Sequence, residues 1–199
     1  MRTVQRHRSS FGYSLVELII ASGLIITLTS VALISLTQTL KNARVDNAFD
    51  ATLTQFKRAR QAAISERCVY RVQVVAPRTI NLSQIRAGVT TPKGSVDLPT
   101  DIQFRAEPGI PVTRATTPDN MGVGATAIDF SIDYGGAATD VYFQPDGSAK
   151  DNVGRVNSGV AYLARPGELS SARAISVLGA TGRVKGWRLV RSGGVSTWK

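Results

Sequence analysis

Between Leu15 and Leu36 the chain reads LVELIIASGLIITLTSVALISL, 22 residues with a single charge, Glu17. At about 1.5 Å per residue, a helix of that length measures about 33 Å, close to the roughly 30 Å of a bilayer's hydrocarbon core. The stretch before it, MRTVQRHRSSFG, holds Arg2, Arg6 and Arg8 and no acid. Positive flanks stay on the cytoplasmic side, so the pattern predicts a body on the far side of the membrane. A secretory signal peptide or a plain anchor shares these features. The run exceeds the usual apolar length of a signal peptide, and it carries a carboxylate near its start. A charge inside a bilayer costs about 2.5 kcal/mol or more, falling towards the membrane edge, and no partner stands nearby in sequence.

Composition narrows the chemistry. The chain has 199 residues and a formal charge of +10, with one His and one Cys. This length is enough for one domain with a real core and some chain to spare. One cysteine, Cys68, allows no intrachain disulfide framework, and one histidine, His7, leaves no base for a catalytic triad and no zinc set. The sequence therefore predicts no enzyme, no cofactor and no metal. The basic excess makes anionic partners plausible.

Gly12-Tyr13-Ser14-Leu15-Val16-Glu17-Leu18-Ile19 resembles the prepilin cleavage and methylation motif of type IV pilins and type II secretion pseudopilins. In that family a short basic leader ends in Gly, an aromatic residue opens the mature chain, and Glu stands fifth after the cut. Tyr13 occupies the position where Phe is commonest. The resemblance implies that a prepilin peptidase cuts between Gly12 and Tyr13 and methylates the new amino terminus at Tyr13. Loss of the leader, 1–12, would leave 21 basic and 14 acidic residues. Glu17 would then neutralise the terminal ammonium of a neighbouring subunit in a fibre, since a buried carboxylate is tolerated only when paired. The implied partners are the peptidase, other pilins or pseudopilins, the assembly platform and the inner membrane, crossed once with the head in the periplasm or outside.

From Lys41 to Arg67 there is neither Pro nor Gly, and Val45, Ala48, Phe49, Thr52/Leu53, Phe56, Ala59, Ala63 and Ile64 recur at helical spacing. One long helix is predicted over about 14–66, its first half (13–40) embedded in lipid or fibre and its second half part of a head spanning 41–199. After Cys68 the pattern turns to period two. Strands are predicted at 68–76, 78–85, 101–106, 127–134, 140–144, 160–164, 172–180 and 183–190, with loops at 86–100, 107–126 and 146–158 and a Pro145-Asp146-Gly147 turn. The fold class is α+β: one helix packed on antiparallel sheets.

Phe143-x-Pro145-Asp146-Gly147, the segment Gly159–Leu163 and Thr181-Gly182-Arg183-Val184-Lys185 together resemble the GspH/FimT class of minor pseudopilins, whose heads hold two β-sheets. Some members bind DNA through a Gly-Arg-x-Arg motif. Here Lys185 stands at the last position, which keeps the charge but loses the planar fork. Residues 182–199 carry Arg183, Lys185, Arg188, Arg191 and Lys199 and no acid. In a strand, 183 and 185 project to one face, Gly182 and Gly186 allow a backbone or a phosphate to come close, and Trp187 and Trp198 offer stacking surfaces. Such a patch would bind DNA without reading sequence. A solvated edge strand guarded by Lys and Arg accounts for the same residues, and Trp187 fits a core position. Asp146, Asp151 and Asn152 lack EF-hand spacing and read as turn residues. Asp129 and Asp133 read as surface charges, and Cys68 as a small buried hydrophobe. Two functions stand: a minor subunit of a type II secretion pseudopilus or type IV pilus, or a pilus-borne DNA receptor for uptake.

Overall fold

The computed structural model describes residues 14–111, 113–121 and 126–199, with backbone alone at 31–35, 38 and 114. The leader and the expected cleavage and methylation positions, Gly12 and Tyr13, lie outside the described residues. The chain divides into two compact units, Met1–Lys41 and Asn42–Lys199.

Helix α1 spans Leu15–Glu66. It opens at Ser14, whose carbonyl accepts from the Leu18 amide at 3.1 Å. It closes where Arg67 turns to a φ of 51° and the Cys68 amide reaches back to Ala63 O at 3.3 Å. That six-to-one bond is the Schellman closure, with Arg in the left-handed position usually held by Gly.

Within the first unit the described side chains are exposed, among them Leu15, Val16, Leu18, Ile19, Ile20, Ile25, Ile26 and Leu28. The hydroxyls of Ser22, Thr27, Thr29 and Ser30 all donate to carbonyls three or four residues back. Their hydrogen-bonding needs are met inside the helix, so they ask nothing of an apolar surrounding. Among the described residues no helix is long and apolar enough to cross a membrane. The expected span is thus not borne out there; the run Leu15–Leu36 includes 31–35, whose side chains lie outside the described residues.

In the second unit the helical periodicity becomes a core. Val45, Ala48, Phe49, Thr52, Phe56, Ala59 and Ala63 are buried, while Ile64 stays exposed. Phe56 meets Phe130 with ring centroids 5.6 Å apart. Each such fully buried apolar side chain stabilises by about 1.5–3 kcal/mol.

Two antiparallel sheets complete this unit. The first runs β3(Val89–Asp97)–β2(Thr79–Arg86)–β1(Val69–Val75)–β6(Asp140–Phe143)–β7(Ala149–Lys150). The second runs β11(Val195–Trp198)–β10(Arg183–Ser192)–β9(Arg173–Leu178)–β8(Gly159–Ala164)–β4(Gln103–Phe104), with β5(Ile128–Asp129) also pairing β8. Ala161, Leu163, Ile175 and Val177 of the second sheet share a core with α1 and the first sheet. Val160, Tyr162, Ala164, Ala174 and Leu189 form another, with Ile110, Ala172 and part of Trp187 and Trp198. All six residues of β8 are therefore buried, which explains its unbroken apolar reading.

The structure corrects several expected segments. The segment 86–100 is not a loop: β3 pairs with β2 through an Ala87-Gly88 turn at φ 49° and 79°. Pro92 is tolerated there because β3 is an edge strand with a register shift opposite Leu82/Ser83. The tail beyond 190 adds β11 through Gly193-Gly194, at φ 58° and 85°, a left-handed pair suited to a two-residue hairpin. The long strands expected at 101–106 and 127–134 shrink to Gln103–Phe104 and Ile128–Asp129. The 146–158 loop also contributes β7, closed by the expected turn, in which the Gly147 amide reaches Gln144 O at 2.9 Å.

Candidate functional site

Strand β10 carries the expected basic residues, and its alternation splits them between two faces. Val184, Gly186 and Arg188 look towards α1. A Cβ on Gly186 would lie 2.4 Å from Phe49 Cζ and 3.1 Å from a Leu53 methyl. Arg188 lies over the Phe49 ring at 5.9 Å and 3.5 Å from Asp46 Oδ2. Arg183, Lys185 and Trp187 take the opposite face, as the expected pairing of 183 with 185 requires. Arg188 therefore does not join them.

The glycines serve the fold. Gly182, at φ 57°, sits where a Cβ would lie 2.1 Å from Gly147 O. Gly186 makes room for Phe49. Of the backbone or phosphate expected to approach these glycines, the structure places a backbone carbonyl, Gly147 O, at Gly182, and the Phe49 ring at Gly186.

Each cation has a distinct setting. Arg183 is half exposed and places Nη2 3.1 Å from Asp119 Oδ1. Lys185 Nζ stands 3.6 Å from the centroid of the Trp187 ring, a cation–π contact. Arg188 shares Asp46 with Arg173, its direct cross-strand partner on β9. Arg191 is exposed at the far end of the strand.

The tryptophans are held rather than free. Trp187 Nε1 donates to Ser176 Oγ at 2.9 Å, and the Ser176 hydroxyl donates to Asp119 Oδ2 at 2.5 Å. Trp198 packs on Tyr162 with centroids 5.6 Å apart. Burial pushes the Tyr162 hydroxyl's pKa up. Ala115, Thr117, Asp119, Trp187 and Trp198 line a cleft of about 450 Å³. The segment 113–121, read in the sequence as part of a featureless loop, is thus the cover of the sheet's outer face. Nothing in its composition signals this; Asp119 and Asn120 adopt left-handed φ of 52° and 58° to do it.

The other side of the β9–β10 hairpin faces α1. Lys57, Arg60, Gln61, Thr181 and Val184 line a groove of about 620 Å³, which Arg183 also borders although its guanidinium pairs with Asp119 on the opposite face. Arg60 donates from Nε and Nη2 to Thr181 O at 3.2 and 3.0 Å, and from Nε to Gly147 O at 3.3 Å. The sequence gives no reason to join Lys57 and Arg60 to Arg183.

Glu17 lies in the first turn of α1 and is exposed. An acid there suits the positive end of the helix dipole. The aspartates expected in turns behave so: Asp146 accepts from the Ser148 amide and hydroxyl at 2.8 and 2.6 Å, and Asp151 accepts from the amides of Val153 and Arg155. Asp129 and Asp133 are more than surface charges. Asp129 Oδ1 holds the Ser131 amide and hydroxyl, and Asp133 Oδ2 takes the Ser158 amide at 2.7 Å. Cys68 is buried and accepts from Gln84 Nε2 at 3.1 Å.

No family model matches the sequence, and no curated protein is matched significantly. Solved structures of similar course include the type IV minor pilin FimU of Pseudomonas aeruginosa, at 13% identity and a TM-score of 0.46, covering 78% of this chain and 94% of that one. The minor pseudopilin EpsH from the type 2 secretion system of Vibrio cholerae is similar at 10% identity and a TM-score of 0.48, covering 73% of this chain and 97% of that one. Likeness at this level gives no residue of the present chain a role.

Proposed function

We propose that the chain is the precursor of a minor pilin or pseudopilin, a structural subunit that joins a type IV pilus or type II secretion pseudopilus through its N-terminal helix. The observation that carries this reading is the exposed apolar stretch of α1 with Glu17 in its first turn. The exposed Leu, Ile and Val side chains of this stretch call for lipid or for other copies. Among the described residues the hydroxyls of Ser22, Thr27, Thr29 and Ser30 bond within the helix, and Glu17 is the charged group left to find a partner. The free ammonium of a cleaved, methylated Tyr13 on a neighbour would supply that partner. A single crossing of the inner membrane before assembly, with the head beyond it, belongs to this proposal. Its support is the sequence run Leu15–Leu36, in which Glu17 is the one charge.

Replacing Glu17 by Ala tests the assembly role. Insertion should persist or improve, because a charge leaves an apolar helix, while the variant should vanish from sheared fibres. Recovery in fibres at the level of the unaltered chain sinks the assembly role.

A second reading, sequence-independent DNA binding, is favoured by one observation: the exposed cations Arg183, Lys185 and Arg191 lie along β10 in a tail without an acid. On this reading they meet phosphates as point charges, and binding weakens steeply with salt.

A further inference from the structure

Both tryptophans of the chain, Trp187 and Trp198, line one cleft on the outer face of the second sheet. Strands β10 and β11 bring them there. Trp187 and Leu189 share one face of β10, and Leu189 stands directly opposite Trp198 on β11. The segment 115–120 walls the cleft from the other side with Thr116, Thr117, Asp119 and Asn120. Its volume of about 450 Å³ falls within the roughly 300–1,000 Å³ of small-molecule sites.

The chain itself covers one side of each indole. Lys185 Nζ stands 3.6 Å from the Trp187 ring centroid, and Tyr162 packs against Trp198. The remaining surface of each ring lines the cleft. Polar groups with capacity to spare surround them. Asp119 Oδ1 accepts from Arg183 and Oδ2 from Ser176, which uses two of the roughly four acceptor positions of a carboxylate. The Thr116 hydroxyl donates to Thr113 O and keeps its own oxygen as an acceptor. The Trp198 indole N–H and the Tyr162 hydroxyl, in the two packed rings, are buried with no hydrogen-bond partner among the described residues. A buried donor of that kind marks where an acceptor is wanted.

These features select among ligands. An anion would meet Asp119, the one charged residue of the lining, and a cation would meet a carboxylate already paired with Arg183. A wholly apolar ligand would take water from Thr116, Thr117, Asp119 and Asn120 and return no hydrogen bond. An extended peptide adds a backbone ladder at a sheet edge, whereas here side chains of a sheet face form the floor. A pyranose ring has both surfaces that the cleft asks for. Its faces carry slightly positive C–H bonds, which suit the negative face of an indole. Its rim carries hydroxyls that both donate and accept.

We propose that the cleft between Trp187, Trp198 and the segment 115–120 binds a neutral saccharide, one or two pyranose units of a glycan. The indoles take the faces of the sugar ring, and Asp119, Asn120 and Thr116 take its hydroxyls. The proposal involves neither Glu17 nor a phosphate contact of Lys185 or Arg191, so it stands or falls apart from both readings above.

The test uses the full chain in a polyoxyethylene detergent, which has no sugar headgroup. Cellotriose, maltotriose and chitotriose are titrated while tryptophan fluorescence is followed. Because both tryptophans line the cleft, the signal reports on it alone. At least one trisaccharide should give a saturable shift with a Kd of about 1 mM, a modest affinity in keeping with an open cleft. Glycerol at equal hydroxyl concentration should give none. Asn120→Gly removes the side-chain amide and accepts the φ of 58° at that position. It should weaken binding about fivefold, the worth of one hydrogen bond. Trp198→Phe, read by calorimetry, should weaken binding to a similar degree. Unaltered thermal melting of Asn120→Gly shows that its loss is not one of folding.

No saturable shift with any of the three sugars overturns the proposal. So does binding by Asn120→Gly and Trp198→Phe that equals that of the unaltered chain. A response to glycerol equal to that of the sugars shows a bulk polyol effect and overturns it. A shift with adenosine but with none of the sugars makes the cleft a nucleobase pocket and overturns it as well.

Discussion

Arg183 Nη2 rests 3.1 Å from Asp119 Oδ1, so the first cation of the Thr181–Lys185 motif is already occupied by a carboxylate of the chain itself. Asp119 is nearly buried and is braced on its other oxygen by the Ser176 hydroxyl, which in turn accepts from Trp187. The guanidinium must leave this acid, or share it, before it meets a phosphate in full.

Asp119→Asn should therefore tighten DNA binding. Asn keeps an acceptor for Ser176 and removes the competing charge. Ion pairs of this exposure are worth up to about 1 kcal/mol, so a gain of about fivefold is expected. Asp97→Asn, on the exposed β3, controls for net charge. Anisotropy titrations giving the two variants equal affinities would show that Asp119 does not compete for Arg183.

Processing gives a second expectation. Co-expression with a prepilin peptidase should remove 12 residues, ending at Gly12, and add one methyl group at Tyr13. Gly12→Glu should block the cut by placing a bulky charge at the scissile bond. Intact-mass spectrometry reads both. A cut after the apolar run, or no cut, contradicts the motif.

Asp46 on α1 lies between two arginines that face each other across β9 and β10. Arg173 is the more buried, and its guanidinium also donates to Ser170 O and Ala172 O. Asp46→Ala leaves two like charges opposed with nothing between them. It should lower stability by about 2 kcal/mol in denaturant titrations. Adding Arg188→Ala should restore part of the loss; a double variant as unstable as the sum of its singles would show that the two groups are not coupled.

The β6–β7 turn supplies a pH expectation. The Ser148 hydroxyl and amide hold the Asp146 carboxyl below its ordinary value of 3.8, with a smaller contribution from Lys150. A depressed folded-state value means that the contribution to stability is present above pH about 3.8 and is lost as pH falls through the folded value. Melting should fall more steeply below pH about 3.8 in the unaltered chain than in Ser148→Ala, which has less of this stabilisation to lose. Parallel curves would remove Asp146 from the acid transition.

Much of this fold was legible from periodicity. The helix from Val45 to Ala63 was legible because its apolar residues repeat at 3.6, and the strands at 69–75, 79–86 and 173–178 because theirs alternate or run unbroken. What the pattern missed depends on turns and long-range packing. β3 was hidden by Pro92 and Gly94, which an edge strand tolerates, and β11 lies past the last predicted strand, beyond the Gly193-Gly194 reversal. Of the candidate site, the alternation of 183 and 185 could be read. The roles of Gly182 and Gly186 could not, since each glycine answers to an atom more than 30 residues away in sequence. The same holds for the acid at Asp119 and for Lys57 and Arg60, which reach the hairpin only once the sheets are laid on the helix.

The guanidinium of Arg60 binds the carbonyl of Gly147, in the turn that closes the first sheet, and that of Thr181, in the hairpin that leads the second. One side chain on α1 thus acts as a rivet through both sheets. Tension applied along the helix axis would be divided at this point between two sheets rather than peeling one strand at a time. Beyond Arg60 the last turn stays tied to the first sheet alone, since Glu66 accepts from Gln84 Nε2 at 2.7 Å and from Arg86 Nη2 at 3.3 Å, so a pull that passes the rivet is handed on to β2.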